Sequence, residues 1–259
     1  MLVKKVLNRI LGNYPACRDI EVWSDDVFLV SYPRSGNTWM RFMLGKLIYN
    51  IDIDFVNKED VIPDLYKNSN KELKEIARPR IIKSHEAFDS RYKKVIYICR
   101  DVRDVVLSYH KWFMKYKGYD KGLDEFMTKF IEGSLDNYGG WDSHVIGWIE
   151  SFENKDNILI LHYKDIKNDT PNELKKILAF LSIDRSDQEI KKAILSANIN
   201  QMSKLEKEQE NESIELKGSR RDISFIKGSE GRTWENTLNA SQKNRMNEAF
   251  KETLDRVGY

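Results

Sequence analysis

Four short runs along the chain are apolar at nearly every position: Val27–Tyr32, Arg80–Ser84, Val95–Cys99 and Ile158–His162. They lack the alternation of a half-solvated strand and predict strands buried on both faces of a parallel sheet. Between them, apolar residues recur at helical spacing. This predicts helices over Thr38–Tyr49, Val105–Met114, Leu123–Ile131, Ser143–Phe152 and Glu173–Leu181. Strands alternating with helices predict an α/β domain of three layers, a central parallel β-sheet flanked by helices. A final helix is marked by Asn239 with Gln242 three residues on, a cap and its partner, followed by Met246, Phe250, Leu254 and Val257.

Two segments stand apart from this pattern. Near the start, Leu2, Val3, Val6, Leu7, Ile10 and Leu11 fall at helical spacing. They fit a short helix docked on the domain or a membrane-surface anchor, and charges interrupt them too often for a signal peptide. The stretch Lys204–Ser224 is polar, lacks aromatic residues and carries Glu206, Glu208, Glu210, Glu212 and Glu215. It fits either a solvated helix and loop or a mobile lid, over about 204–226, that orders on a bound ligand. With no internal repeat and no Pro-rich linker, residues 1–259 read as a single domain.

The 259 residues, 41% hydrophobic and 32% charged, suit a domain with a sizeable core. A net charge of only +2 disfavours a nucleic-acid partner or a coat on anionic membrane, so any anion preference must be local. Such a local excess exists: Arg91–Lys121 holds nine basic and three acidic residues. No run approaches the roughly 18 apolar residues of an integral membrane segment. Cys17 and Cys99 are too few for a disulfide scaffold, and together these features lead to the expectation of a cytoplasmic protein. His110, His144 and His162 are dispersed, and no ligand spacing suggests a metal.

The first chemically informative segment is Phe28-Leu-Val-Ser-Tyr-Pro-Arg-Ser-Gly-Asn-Thr-Trp39, a strand, a tight turn and a helix start. Such a turn aims backbone N–H groups and the positive end of the helix at one spot suited to phosphate or sulfate. Gly36 removes a side chain where the backbone approaches an oxyanion, while Ser35 and Thr38 offer hydroxyls and Arg34 a planar cation. It is not the ATP-binding version of the loop, because Asn37 stands where that motif has lysine. Trp39 fits either a purine-stacking surface or core packing. A second strand–helix junction, Val95–Tyr109, puts Arg100 at the carboxyl end of a strand and Ser108 eight residues later.

Together these segments resemble the sulfotransferases that use 3′-phosphoadenosine 5′-phosphosulfate (PAPS), whose phosphosulfate loop reads Tyr-Pro-Lys-Ser-Gly-Thr-Thr-Trp. Arg100, Asp104 and Ser108 match the spacing of that family's 3′-phosphate motif, with Val102 in place of its proline. Lys83-Ser-His85 resembles the family's Lys-Thr-His, and Tyr138-Gly-Gly-Trp-Asp-Ser-His-Val-Ile-Gly-Trp148 a stretch of its cytosolic members. Tyr163-Lys-Asp-Ile and Lys227-Gly-Ser-Glu-Gly231 are similar to its adenine-contacting and C-terminal motifs. The resemblance runs from about Asp26 to Tyr259. It implies a P-loop-NTPase-like sulfotransferase fold and an enzyme that moves the sulfuryl group of PAPS to a hydroxyl of a small-molecule acceptor, without a metal. The oligomeric state is not legible in the sequence, with a homodimer among the options.

By the same resemblance His85 is the base, with Lys83 and Arg34 at the reacting phosphate. Arg34, Ser35, Gly36, Asn37, Thr38, Trp39, Arg100, Ser108, Tyr163, Lys227 and Gly228 hold the nucleotide. Glu86 is the alternative base. Departures from the family are Arg34 for lysine, Ile226 for the arginine before Lys227, and Asn198-Ile199 for Ser-Phe before Met202. Arg220 or Arg221 is available in place of the missing arginine, or belongs to a solvated basic patch. His144 and Trp148, four apart, are expected to pack in the core, while Trp112, Phe113, Tyr116 and Tyr119 either line an acceptor pocket or cover the sheet. The alternatives in function are a nucleotide kinase or NTPase-like enzyme and a catalytically silent nucleotide-binding protein.

Overall fold

The structure, a computed structural model, describes residues 19–151, 156–226 and 233–259. The N-terminal amphipathic stretch, Cys17, Lys227 and Gly228 lie outside the described residues. Strand β1 (Val27–Ser31) leads through a short loop into helix α1 (Asn37–Tyr49). Two short helices, α2 (Lys58–Val61) and α3 (Asn70–Glu75), precede β2 (Ile81–Ser84). Strand β3 (Val95–Cys99) runs into α4 (Val102–Tyr116), followed by α5 (Leu123–Ile131) and α6 (Trp141–Ser151). After β4 (Ile158–His162) come α7 (Tyr163–Asn168), α8 (Thr170–Leu181), α9 (Asp187–Ser196) and α10 (Ile199–Glu208). Helices α11 (Trp234–Thr237) and α12 (Ala240–Arg256) complete the order.

The four strands form one parallel sheet in the order β2-β1-β3-β4. Their continuous apolar runs follow from this placement. Phe28, Val30, Val95 and Tyr97 point into a core shared with α4, α5, α6 and α12; Val27, Leu29, Ile96 and Ile98 point into a second core with α1, α8 and α9. At the edges the two outer strands differ from each other. Strand β2 is fully buried because its edge is covered by residues 63–65, where Lys83 N donates to the Pro63 carbonyl and Leu65 N to the Lys83 carbonyl. Strand β4 is half-buried along most of its length, departing from the two-faced burial its sequence predicts. Register levels the carboxyl ends: Val30 pairs with Ser84, Ser31 with Ile98 and Cys99 with His162. The segments leaving β1, β2, β3 and β4 therefore all open onto one end of the sheet.

Helix ends obey local chemistry. Asn239 and Gln242 make the capping box expected of the last helix. Helix α4 starts at Val102, three residues ahead of its apolar pattern, because the Asp101 side chain accepts from Arg103 N. The glutamate-rich stretch is partly enclosed rather than wholly solvated: Ser213 and Leu216 are buried, and Glu206 accepts from Ser224 Oγ and from the amides of Phe225 and Ile226.

Below the sheet's amino end, Arg80 and Asp26 form a fully buried pair, Nε to Oδ1 at 2.6 Å and Nη2 to Oδ2 at 2.9 Å, under the Trp23 ring. Arg80→Ala removes the counter-ion of the buried Asp26 side chain and leaves it only the Trp23 amide as a partner among the described residues. The expected loss is about 3–5 kcal/mol, read from urea denaturation; a loss within experimental scatter would show that the pair is not what holds this end closed.

Candidate active site

A cavity of about 1080 Å³ lies at the carboxyl ends of the strands. Each strand contributes to its wall through the residues that follow it: Arg34 and Gly36 after β1, His85 after β2, Arg100 after β3 and Tyr163 after β4. Open α/β sheets bind ligands in this crevice, where the chain leaves a central strand toward opposite sides.

The loop after β1 holds two residues in the left-handed region, Arg34 at φ 69° and Gly36 at φ 103°. Gly36 is the position where glycine is required twice over: its φ is positive, and a Cβ there would stand 2.6 Å from the Tyr163 ring. Arg34 pays a strain of about 1–3 kcal/mol for a non-glycine residue there. Contacts on both sides hold it: its carbonyl accepts from Arg100 Nη1 at 3.1 Å, and its Nε donates to Ser108 Oγ at 3.2 Å. The guanidinium also lies 4.6 Å over the Phe225 ring. Desolvation pulls Arg34 below its ordinary value, but a guanidinium stays charged under ordinary conditions.

The other loop residues divide by role. Asn37 lines the cavity, yet its Nδ2 is turned back to the Leu29 carbonyl and Ser31 Oγ, tying the loop to β1. Ser35 is buried behind the loop, off the cavity wall, with no hydrogen-bond partner for Oγ among the described residues. Thr38 and Trp39 line the cavity. The indole of Trp39 donates to the Ala197 carbonyl at 3.0 Å and meets the Tyr163 ring edge-on at 6.0 Å. Ala197, Asn198, Ile199 and Met202 continue this wall, bringing the loosely patterned 198–202 segment to the site. Arg100 sits 4.2 Å over the Tyr163 ring, 3.9 Å from Asp104, and its buried Nε has no hydrogen-bond partner among the described residues. Arg220 and Arg221 do not line the cavity; they pair at the surface with Asp222 and Glu210.

His85 Nδ1 lies 2.7 Å from the Ser31 carbonyl. A carbonyl only accepts, so the proton is on Nδ1 and Nε2 keeps its lone pair. Its backbone N donates to Tyr66 Oη at 3.2 Å, and the Tyr66 and Tyr138 rings lie 6.3 and 5.6 Å from the imidazole. Desolvation first, and Lys83 second, hold His85 well below 6.5, so its ring is neutral at ordinary pH. Lys83 Nζ pairs with Asp64 at 2.9 Å. Glu86 is buried and is not on the cavity wall.

Sequence reasoning read His144 and Trp148 as core packing, which they are, and missed their second task. Helix α6 uses them to grip the main chain at His85 and Glu86: His144 Nε2 donates to the His85 carbonyl at 3.1 Å and Trp148 Nε1 to the Glu86 carbonyl at 2.9 Å. Tyr97 Oη completes the set by donating to His144 Nδ1 at 3.0 Å. Also missed was a charge cluster of Arg41, Asp64, Lys67 and Glu215, all on the cavity wall. Glu215 pairs with Lys58 and Lys67 across about 150 residues of sequence, beyond the reach of any local pattern. Trp112 and Phe113 line the cavity, whereas Tyr116 and Tyr119 are off its wall, Tyr116 against the Trp112 and Phe225 rings and Tyr119 against Phe126. Among the described residues no three His, Cys, Asp or Glu side chains gather as metal ligands, and no helix is long and apolar enough to cross a membrane.

A parallel sheet whose strand ends surround a left-handed anion loop, two guanidinium groups and a neutral imidazole defines a P-loop-like group-transfer site for an anionic nucleotide. Comparison with known proteins makes this specific. The profile of the Sulfotransferase domain matches residues 24–258, and the chain belongs to that family. Rat Sulfotransferase 1E1 is 34% identical over 207 residues, covering 71% of this chain and 69% of the rat protein. Rabbit Amine sulfotransferase is 27% identical over 253 residues, 91% of this chain and 83% of its own length. The crystal structure of mouse sulfotransferase SULT7A1 complexed with PAP superposes with a TM-score of 0.71 at 27% identity, over 96% of this chain and 88% of that one.

The buried histidines set a pH dependence. Burial lowers His144 to about 4, against 6.5 in the unfolded chain. The unfolded state therefore binds the extra proton between these values, so the ring's contribution is complete above 6.5 and is lost as pH falls toward 4. Between pH 6.5 and 5 this amounts to on the order of 2 kcal/mol from His144. Urea titrations of wild type and His144→Phe should show the wild type losing more stability over that interval; equal slopes would contradict the neutral, buried ring.

Proposed function

We propose that the protein transfers the sulfuryl group of PAPS to a hydroxyl of a small-molecule acceptor, with His85 as general base. The observation that carries this reading is the bond from His85 Nδ1 to the Ser31 carbonyl, which leaves Nε2 basic in the same cavity as the Gly36 loop and Arg100. The family, and a relative solved with PAP, support the donor. So does the cradle itself, which has no room for a Cβ at Gly36 and holds the Arg100 Nε without a hydrogen-bond partner among the described residues.

When bound, the donor supplies an electrophilic sulfur on a phosphate leaving group. The chain's residues do the rest. His85 Nε2 takes the acceptor's hydroxyl proton as the oxygen attacks in line, a role worth about 10²–10⁴-fold for a placed base. Lys83, Arg34 and the loop amides meet the negative charge growing on the phosphate side. Arg34 acts by charge and paired hydrogen bonds and keeps its proton throughout. Arg100 and Ser108 take the 3′-phosphate, while Trp39, Tyr163, Ile199 and Met202 enclose the purine. Asn37 and Ser35 serve as loop supports whose backbone amides face the anion. Lys227 and Gly228 are assigned to the 3′-phosphate by family resemblance alone. A reducing, cytoplasmic setting completes the reading, in keeping with Cys99 as a buried free thiol.

In a thermal-shift titration, PAP without magnesium should stabilise the protein by about 2.7 kcal/mol at a hundredfold excess over its Kd, and ATP with magnesium far less. Equal shifts with AMP would remove the 3′-phosphate site. His85→Ala should abolish transfer with the PAP shift preserved; ordinary turnover would move the base elsewhere. Arg100→Ala should weaken PAP binding by about 1.5–3 kcal/mol, a charge-assisted hydrogen bond's contribution. An unchanged Kd, by calorimetry, is the outcome that rejects this assignment.

A further inference from the structure

After α10 the chain runs from 209 to 226 as turns and bends, with neither helix nor strand to satisfy its main chain. Main-chain N–H and C=O groups taken from water need partners, and over 220–226 two buried side chains supply them. Lys115, on α4, donates through Nζ to the Arg220 carbonyl at 3.0 Å and the Ile223 carbonyl at 2.6 Å, and lies 3.6 Å from Glu206 Oε1. Its own carbonyl accepts from Arg220 N at 3.1 Å. Glu206, on α10, accepts from Ser224 Oγ at 2.8 Å and from the amides of Phe225 and Ile226. Ser203 Oγ, three residues before it, donates to the Ile226 carbonyl at 2.9 Å. Lys115 and Glu206 are both buried, and neither lines the cavity.

What they hold does line it. Phe225 and Ile226 form part of the wall, and the Phe225 ring covers the Arg34 guanidinium at 4.6 Å, braced edge-on by Phe55 and Tyr116. Ser108, which accepts from Arg34 Nε, and Lys115 stand seven residues apart on α4 and so share one face of that helix. That face fixes Arg34 twice, directly through Ser108 and indirectly through the segment that Lys115 clasps. A ring over the guanidinium keeps water off it, and a charge shielded from water acts more strongly on an anion beside it. We infer that Lys115 and Glu206 are positioning residues: they hold Phe225 over Arg34 and so set how strongly the site grips the 5′-phosphate of its nucleotide. The inference rests on the sulfuryl-transfer reading above and adds to it two residues outside the cavity.

The test is a double-mutant cycle on PAP affinity, measured by calorimetry, with Phe225→Leu and Lys115→Met, which keeps the apolar stem and removes the donors. Each single variant should raise the Kd for PAP about fivefold or more. The double variant should bind within about twofold of the weaker single, because Lys115 acts through Phe225. An unchanged Kd in Lys115→Met, or effects that multiply in the double variant, overturns the inference. Hydrogen exchange without nucleotide reads the clasp itself: peptides over 220–226 should exchange about tenfold faster in Lys115→Met, with those of β1 and β3 unchanged. Equal exchange over 220–226, or a rise spread evenly through the sheet, counts against a positioning role. Glu206→Gln, which keeps the shape and removes the charge, goes through the same cycle and exchange with the same expected outcomes, and decides the matter where Lys115→Met does not fold. Wild type that binds no PAP would reject the transfer reading itself, whereas PAP bound equally by wild type and variants rejects the positioning role alone.

Discussion

The contact between Arg100 and the Arg34 carbonyl is the constraint on which the site depends. It joins the ends of two adjacent strands at the one place where the backbone is bent into a left-handed conformation that an arginine does not choose. A loop strained in this way needs outside support, and the bond from Arg34 Nε to Ser108 supplies a second point of attachment on α4. One side chain and its own carbonyl thus link the amide cradle after β1 to the residues after β3. A ligand spanning both then meets a frame already assembled, and less of the binding free energy goes into ordering it.

The same logic places the base. His85 is held from three directions, by the Ser31 carbonyl on the ring, by Tyr66 on the backbone amide and by His144 on the carbonyl. None of these bonds touches Nε2. The ring is therefore fixed in tautomer and direction while its reactive nitrogen stays available, which is how outer partners usually tune an imidazole.

Much of this was legible in the sequence because it is local. The strands differ from their sequence-read limits by at most one residue, since a doubly buried strand writes its burial into every position. Two helix starts lie ahead of the apolar pattern because a cap sets the boundary, Asp101 before α4 and Asp169 before α8, whereas the Asn239 cap of the last helix is legible through its Gln242 partner. Gly36, Arg100 and His85 were legible for another reason: His85 and Arg100 directly follow a strand and Gly36 lies in the short loop after one, so a parallel sheet brings them to one end whatever the connections do. Asp64, Lys67 and Glu215 were not. They meet only because residues 63–65 cover the β2 edge and the stretch after α10 folds back over them, and neither event has a signature of its own.

The cations of the site act on its imidazole, the base in the proposed reaction. Burial first, and Lys83 second, hold His85 well below its ordinary value, so the imidazole is neutral near neutrality and a weaker base than a free one. Negative charge brought beside Lys83 cancels part of that influence and returns the ring toward its ordinary basicity, the range in which a general base works best near neutrality. Asp64 already provides some of this compensation, and its ion pair with Lys83 limits how far the ring is depressed. Arg34 keeps its proton under ordinary conditions, and Lys83, which burial pulls below its ordinary value, is held as a cation by its ion pair with Asp64.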